Sequence, residues 1–221
     1  MEKILLYSHA GCGAIVLVIG LINMFNRKGG QYHKILGKIY VGTMWWICLS
    51  AIMIISFYRF SFFLMVIAVL TFYSTFVGIR VLKRKKVGTE KWYDWAVAGI
   101  TMLFGLGLIG YGIYVFYITQ SAHAVGFLSL IFGGGTAYTS FGDLKSLKLA
   151  LPKTKGWWLK QHMRAMGGSY IAAVTAFAVQ NNDAFLPESY AWVAWLLPSL
   201  LISPILSYSI RKQTQKKAAT L

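Results

Sequence analysis

The sequence predicts an all-α protein, a polytopic transmembrane bundle of about seven helices with its N-terminus outside and its C-terminus in the cytoplasm. Three observations lead there. Of the 221 residues, 57% are hydrophobic and only 13% charged, with a mean hydropathy of +0.59, about half the charge of a globular domain. Uncharged stretches of helix-spanning length recur along the chain. Between them the basic residues fall in short runs. A water-soluble fold of this size has no means of hiding so much apolar surface, whereas a bilayer is itself the solvent for the outside of a bundle.

The first stretch, Ile4–Phe25, holds 22 uncharged residues. It resembles a signal peptide in its short basic start, but its length and the lack of a small-residue cleavage site make it a retained span. Single Arg59 divides the next two, Ile39–Tyr58 and Phe60–Ile79. Trp95–Gly142 then runs for 48 residues without a charge. As one helix it would be a rod of roughly 70 Å, more than twice the hydrocarbon thickness, so it crosses twice. Thr119-Gln120-Ser121 is its most polar point and the expected turn, which sets spans at 95–118 and 122–142. A sixth span is expected over 165–181 and a seventh over 189–210, followed by a basic cytoplasmic tail, 211–221. The whole chain forms one transmembrane domain, without room for a soluble one. Pro198 and Pro204 predict kinks in the last span. Gly105, Gly107, Gly110 and Gly112 predict close helix approach, and Gly133-Gly134-Gly135 either close packing or an opening beside a ligand.

Orientation follows from counting. This scheme places 20 of the 22 Lys and Arg residues on one side, leaving only Lys3 and Arg59 on the other. The basic side is therefore cytoplasmic, in a bacterial cytoplasmic (inner) membrane. The net charge of +16 is then accounted for by insertion and by anionic lipid headgroups rather than by nucleic acid. Trp92, Trp95, Trp157 and Trp158 flank cytoplasmic helix ends, where an amphipathic ring sits at headgroup depth. Cys12 and Cys48 lie within apolar segments and form no spaced framework.

No span carries an acidic residue or a lysine at its middle, which counts against a proton-coupled pump or ion-coupled transporter. The chemistry near the spans belongs to four histidines. The topology sorts them into an outer pair, His9 with His123, and a cytoplasmic pair, His33 with His162. Two imidazoles at matched depth on different helices are axial ligands for haem b, and one haem near each face would carry electrons across the bilayer. Gly13 and Gly37 stand four residues after His9 and His33, on the same helical faces, and make room beside a flat macrocycle. Tyr7, Tyr32, Tyr40, Arg164 and Ser169 are candidates for supporting or propionate contacts. Lys34, Lys38 and Arg164 disfavour a bare cation at the inner pair unless propionates or lipid intervene.

Other readings stay open. A divalent metal, zinc for instance, is an alternative cofactor, held by His33, His162 and Asp143 on the cytoplasmic side; so is no cofactor, with the histidines bonded to carbonyls or headgroups. A nucleophile elbow, a Walker loop, an HExxH and a dinucleotide fingerprint are all absent, which leaves any enzymatic activity undefined. A small-molecule or lipid transporter lined by hydroxyls is one functional alternative. A noncatalytic membrane assembly or interaction protein is the other.

The run His33-Lys-Ile-Leu-Gly-Lys-Ile-Tyr40 after a short basic loop, with His9 in the first span and His162-Met-Arg-Ala-Met-Gly-Gly-Ser-Tyr170 opening the sixth, resembles a widespread group of bacterial predicted membrane proteins of unknown function. The resemblance extends over most of the chain and implies a compact multi-pass bundle with histidines near helix ends; it implies no reaction. Similarity to cytochrome b561 proteins is weaker, because those place paired ligands on a few shared helices, whereas here each histidine has its own.

Overall fold

The structure is a computed structural model that describes residues 1–86, 88–119, 124–149, 156–185, 187, 190 and 192–219. Eight helices occupy these residues: α1 (Glu2–Phe25), α2 (Gln31–Phe57), α3 (Phe62–Lys83), α4 (Trp92–Thr119), α5 (Ala124–Leu149), α6 (Trp157–Gln180), α7 (Asn182–Phe185) and α8 (Val193–Ala219). No strand occurs among the described residues. Six helices are long and apolar enough to cross a membrane: α1, α2, α3, α4, α5 and α8. Several carry large apolar side chains on their outer surfaces, among them Ile15, Val18, Ile100, Leu103, Leu200 and Leu201, as expected where lipid rather than water surrounds the helix.

The chain divides into two compact units, residues 1–82 with 155–221, and residues 83–154. The second unit is the α4–α5 pair. The two helices run antiparallel, because Gly105 faces Gly133 and Ala137 while Gly112, one turn pair later, faces Gly126. The 48-residue uncharged stretch therefore holds two antiparallel helices, α4 ending at Thr119 and α5 starting at Ala124; the expected turn at Gln120 and Ser121, like Ala122 and His123, lies outside the described residues. A Cβ on Gly105 would come within 2.7 Å of the Ala137 backbone nitrogen, so only glycine allows this crossing distance. The glycine expectation divides by helical face. Gly105, Gly112 and Gly133 pack, whereas Gly107, Gly110, Gly134 and Gly135 look onto open space.

In the first unit, α6 touches four other helices. The Tyr40 hydroxyl of α2 donates to Ser169 Oγ at 2.9 Å, since the Ser169 proton goes to the Met166 carbonyl at 2.8 Å. Tyr170 donates to the Leu17 carbonyl of α1 at 3.1 Å, with its ring seated on Gly20. Met166 lies against Gly78 of α3, and Leu206 of α8 fills the space beside Gly167. This enclosure explains why α6 is not among the six helices whose composition suits a membrane crossing. A helix surrounded by protein keeps hydroxyls and amides that a lipid-facing helix must shed, because neighbouring helices supply their hydrogen bonds. Thr71 and Thr75 on α3 use a second solution, donating to carbonyls four residues back at 2.6 and 2.8 Å.

The contacts also sort the helix ends of this unit. Glu2 and Arg59 pair at 3.4 Å, joining the start of α1 to the α2–α3 loop. Phe63 and Trp195 meet at 4.5 Å between ring centres, so α8 starts beside the start of α3. The opposite end gathers the last turn of α1, the start of α2, the last turns of α3 and the start of α6. Lys3 and Arg59 thus share one end, as counted from the sequence, while Lys28, Lys34 and Lys160 share the other. Pro198 and Pro204 lie inside the continuous helix α8, which runs on through Arg211 and Lys212 to Ala219, so the basic segment expected as a tail begins as helix. The interval 143–164 that the expected fifth and sixth spans leave between them is likewise shortened, by α5 extending to Leu149 and α6 starting at Trp157.

Candidate functional site

Four segments meet where α6 begins. The α1–α2 connection is short: Asn26 ends α1, Gly29 adopts φ 77, a left-handed conformation that glycine enters without strain, and Gly30 opens α2. This reversal brings His33, in the first turn of α2, back toward the end of α1. On α6, His162 reaches across to α3. Its Nδ1 lies 2.7 Å from the Gly78 carbonyl. A carbonyl only accepts, so Nδ1 carries the proton and Nε2 presents its lone pair. Gly78 makes this approach feasible, since a Cβ there would meet Met166 Sδ at 2.6 Å.

His33 and His162 stand with ring centres 6.5 Å apart and planes crossed at 82°. The same two helices touch again seven residues on, at Tyr40 and Ser169, which run in one register as a second rung two turns deeper. His33 Nδ1 is buried and has no hydrogen-bond partner, and neither has Asn23 Oδ1 near the end of α1. The Asn23 amide nitrogen would lie 3.8 Å from a Cβ at Gly37, one turn along α2 from His33. The room expected beside Gly37 is thus lined by an amide. Lys28 Nζ caps the end of α1, donating to the Asn23 and Met24 carbonyls at 2.6 and 2.7 Å, and its charge bears on both histidine rings. Burial pushes the Lys28 ammonium below its ordinary range.

Ligand count decides what such a pair can hold. A metal–nitrogen bond of about 2.0 Å, plus about 1.1 Å from nitrogen to ring centre, sets two trans imidazoles roughly 6.2 Å apart, and a tetrahedral angle brings them to roughly 5 Å. The observed 6.5 Å between ring centres is nearer the first of these values. Two ring planes sharing one metal–nitrogen axis can cross at any angle. Among the described residues no three His, Cys, Asp or Glu side chains come together to hold a metal ion, and zinc requires three or four protein ligands. Asp143, the third ligand of the zinc alternative, lies on α5 in the other unit. A porphyrin supplies four nitrogens of its own and needs only two from the protein.

The remaining sequence candidates are placed as follows. His9 Nδ1 lies 2.8 Å from Ser50 Oγ, whose proton goes to the Ile47 carbonyl at 3.0 Å, so the histidine clamps α1 to α2. Its expected partner, His123, falls outside the described residues. The space beside Gly13 is open. Ser169 is fully buried and Tyr40 nearly so; both belong to the α2–α6 contact two turns from the histidines. Tyr7 and Tyr32 are each 75% exposed and Arg164 is exposed as well, because each lies on the outward face of its own helix. Cys12 and Cys48 are free thiols, with Cys48 donating to Thr71 Oγ1 at 3.2 Å. Sequence reasoning missed Asn23, Lys28 and Gly78. A lysine just past a helix end is a signal for capping, but nothing in the sequence distinguishes Gly78 from other glycines.

The fold and its apolar exterior define the class: a helical, multi-pass membrane protein with six helices able to cross the bilayer. Comparison with protein-family models, with curated proteins and with solved structures returned no match.

Proposed function

We propose that this is a seven-span protein of the bacterial cytoplasmic membrane that binds one haem b near its cytoplasmic face, with His33 and His162 as axial ligands. The observation that carries the reading is the 6.5 Å separation of two crossed imidazoles, one of them anchored through Nδ1 to a carbonyl in the manner of metal-ligating histidines. When bound, haem would supply one-electron chemistry at this point. The chain's own part would be to hold two imidazoles at this separation and to keep the His162 tautomer through the Gly78 carbonyl.

The seventh span in this reading is α6. Its 24 residues measure about 36 Å, it starts at the end shared with α2 and leads through α7 to α8, which begins at the opposite end. Its hydroxyls face other helices. The sharing of one end by Lys28, Lys34 and Lys160, with Lys3 and Arg59 at the other, supports placing the histidine pair in the cytoplasmic half. Anionic headgroups are the natural contacts of that basic rim. A second haem at His9 is not part of the proposal.

The test is an absorption spectrum of the full chain purified in detergent after expression with a haem precursor. A Soret band with the visible bands of six-coordinate low-spin iron is expected, and His33→Ala or His162→Ala should each abolish the low-spin form while His9→Ala retains it. Protein that carries no haem after expression with precursor and after addition of hemin would overturn the proposal and favour the transport or assembly readings.

A further inference from the structure

The end of α1 contributes more to this site than a helix stop. The last carbonyls of a helix lack intrahelical partners, and Lys28 takes two of them, at Asn23 and Met24. An ammonium has three N–H groups, so one remains, on a half-buried cation whose charge bears on both His33 and His162. Asn23 adds a buried side-chain oxygen without a partner, and His33 a buried nitrogen without one. Buried polar groups are normally bonded, and clustered exceptions mark the place of a water or ligand. A half-turn of the Asn23 amide exchanges its oxygen and nitrogen and would aim a donor instead of an acceptor at the same position. The cluster therefore offers an ammonium and an amide beside the two imidazoles, without a described carboxylate to balance them.

Resting on the haem reading above, we propose that Lys28 is the specificity-determining contact of the site, binding a carboxylate of the tetrapyrrole, with Asn23 as its neighbour. A neutral macrocycle would leave the cation unpaired in a partly desolvated position. One carrying propionates neutralises it through a charge-assisted hydrogen bond. The site should thus select among porphyrins by their carboxylates, in addition to the iron.

The experiment is a titration of the purified full chain with hemin and with hemin dimethyl ester, followed at the Soret band, in wild type, Lys28→Gln and Lys28→Arg. Wild type is expected to bind hemin about tenfold or more tightly than the ester. Lys28→Gln should keep the low-spin spectrum and bring the two affinities within about twofold of each other, and Lys28→Arg should restore the preference. Equal affinities in wild type, or a preference undiminished in Lys28→Gln, overturns the assignment of Lys28 and leaves the histidine-ligated haem standing. Failure of wild type to bind either compound overturns both. Should Lys28→Gln not fold, the wild-type comparison of acid and ester decides alone.

Discussion

Gly78 is the position where packing and the proposed chemistry meet, and Gly78→Ala separates their contributions. The added Cβ would lie 2.6 Å from Met166 Sδ, 3.0 Å from Met166 Cγ and 3.6 Å from Ala165 Cβ. Only the last is an ordinary contact, so the sulfur must retreat by about 1 Å. Methionine yields more readily than an aromatic ring, which places the overpacking cost at about 1–3 kcal/mol. Alanine returns about 0.5–1 kcal/mol through its better helix propensity. The net expectation is a loss of about 0.5–2 kcal/mol, read as a fall in thermal midpoint of roughly 2–6 °C in detergent. Because His162 depends on the Gly78 carbonyl, haem affinity should fall about tenfold as well. Met166→Ala removes the offending sulfur, so the double variant should be more stable than the sum of the two single losses by about 1 kcal/mol. Strict additivity, or a Gly78→Ala protein as stable as wild type, would refute this account of how α6 sits on α3.

Two further outcomes are expected. Gly20→Ala should lower the thermal midpoint more than Gly78→Ala, because its Cβ would enter the rigid ring of Tyr170, whereas Gly13→Ala, facing open space, should raise stability by about 0.5–1 kcal/mol; equal effects of the two would show that α1 does not pack as described. Single cysteines at Lys3 or Arg59, introduced with Cys12 and Cys48 replaced by Ser, should react with a membrane-impermeant maleimide in intact cells, while one at Lys212 should react only after lysis; the converse pattern would invert the topology.

Much of the fold was legible because charge is expensive in lipid. Arg59 and the basic clusters bound the spans closely enough that the antiparallel α4–α5 pair emerges from a stretch identified only by its excessive length. Hydropathy was least informative for α6, since a helix enclosed by α1, α2, α3 and α8 has little need to be apolar; its role depends on contacts at Gly20, Gly78 and Gly167 that no sequence window records. The histidine pair was legible from topology alone, because His33 and His162 open helices that start at the same end. Their supporting groups were not. Tyr7, Tyr32 and Arg164 stand close to the histidines in sequence, and helix rotation turns them outward, whereas Lys28 and Asn23 are brought toward His33 by a five-residue reversal whose geometry depends on Gly29.

The most direct measurement of the central claim is the low-temperature electron paramagnetic resonance spectrum of the ferric, haem-loaded chain. Two imidazoles crossed at 82° on one iron should produce the strongly anisotropic low-spin signal of perpendicular axial rings, at one haem per chain, and His162→Ala should convert it to high spin. A low-spin signal of the parallel-ring type, or one that survives loss of His162, would contradict the assignment of His33 and His162 as the axial pair.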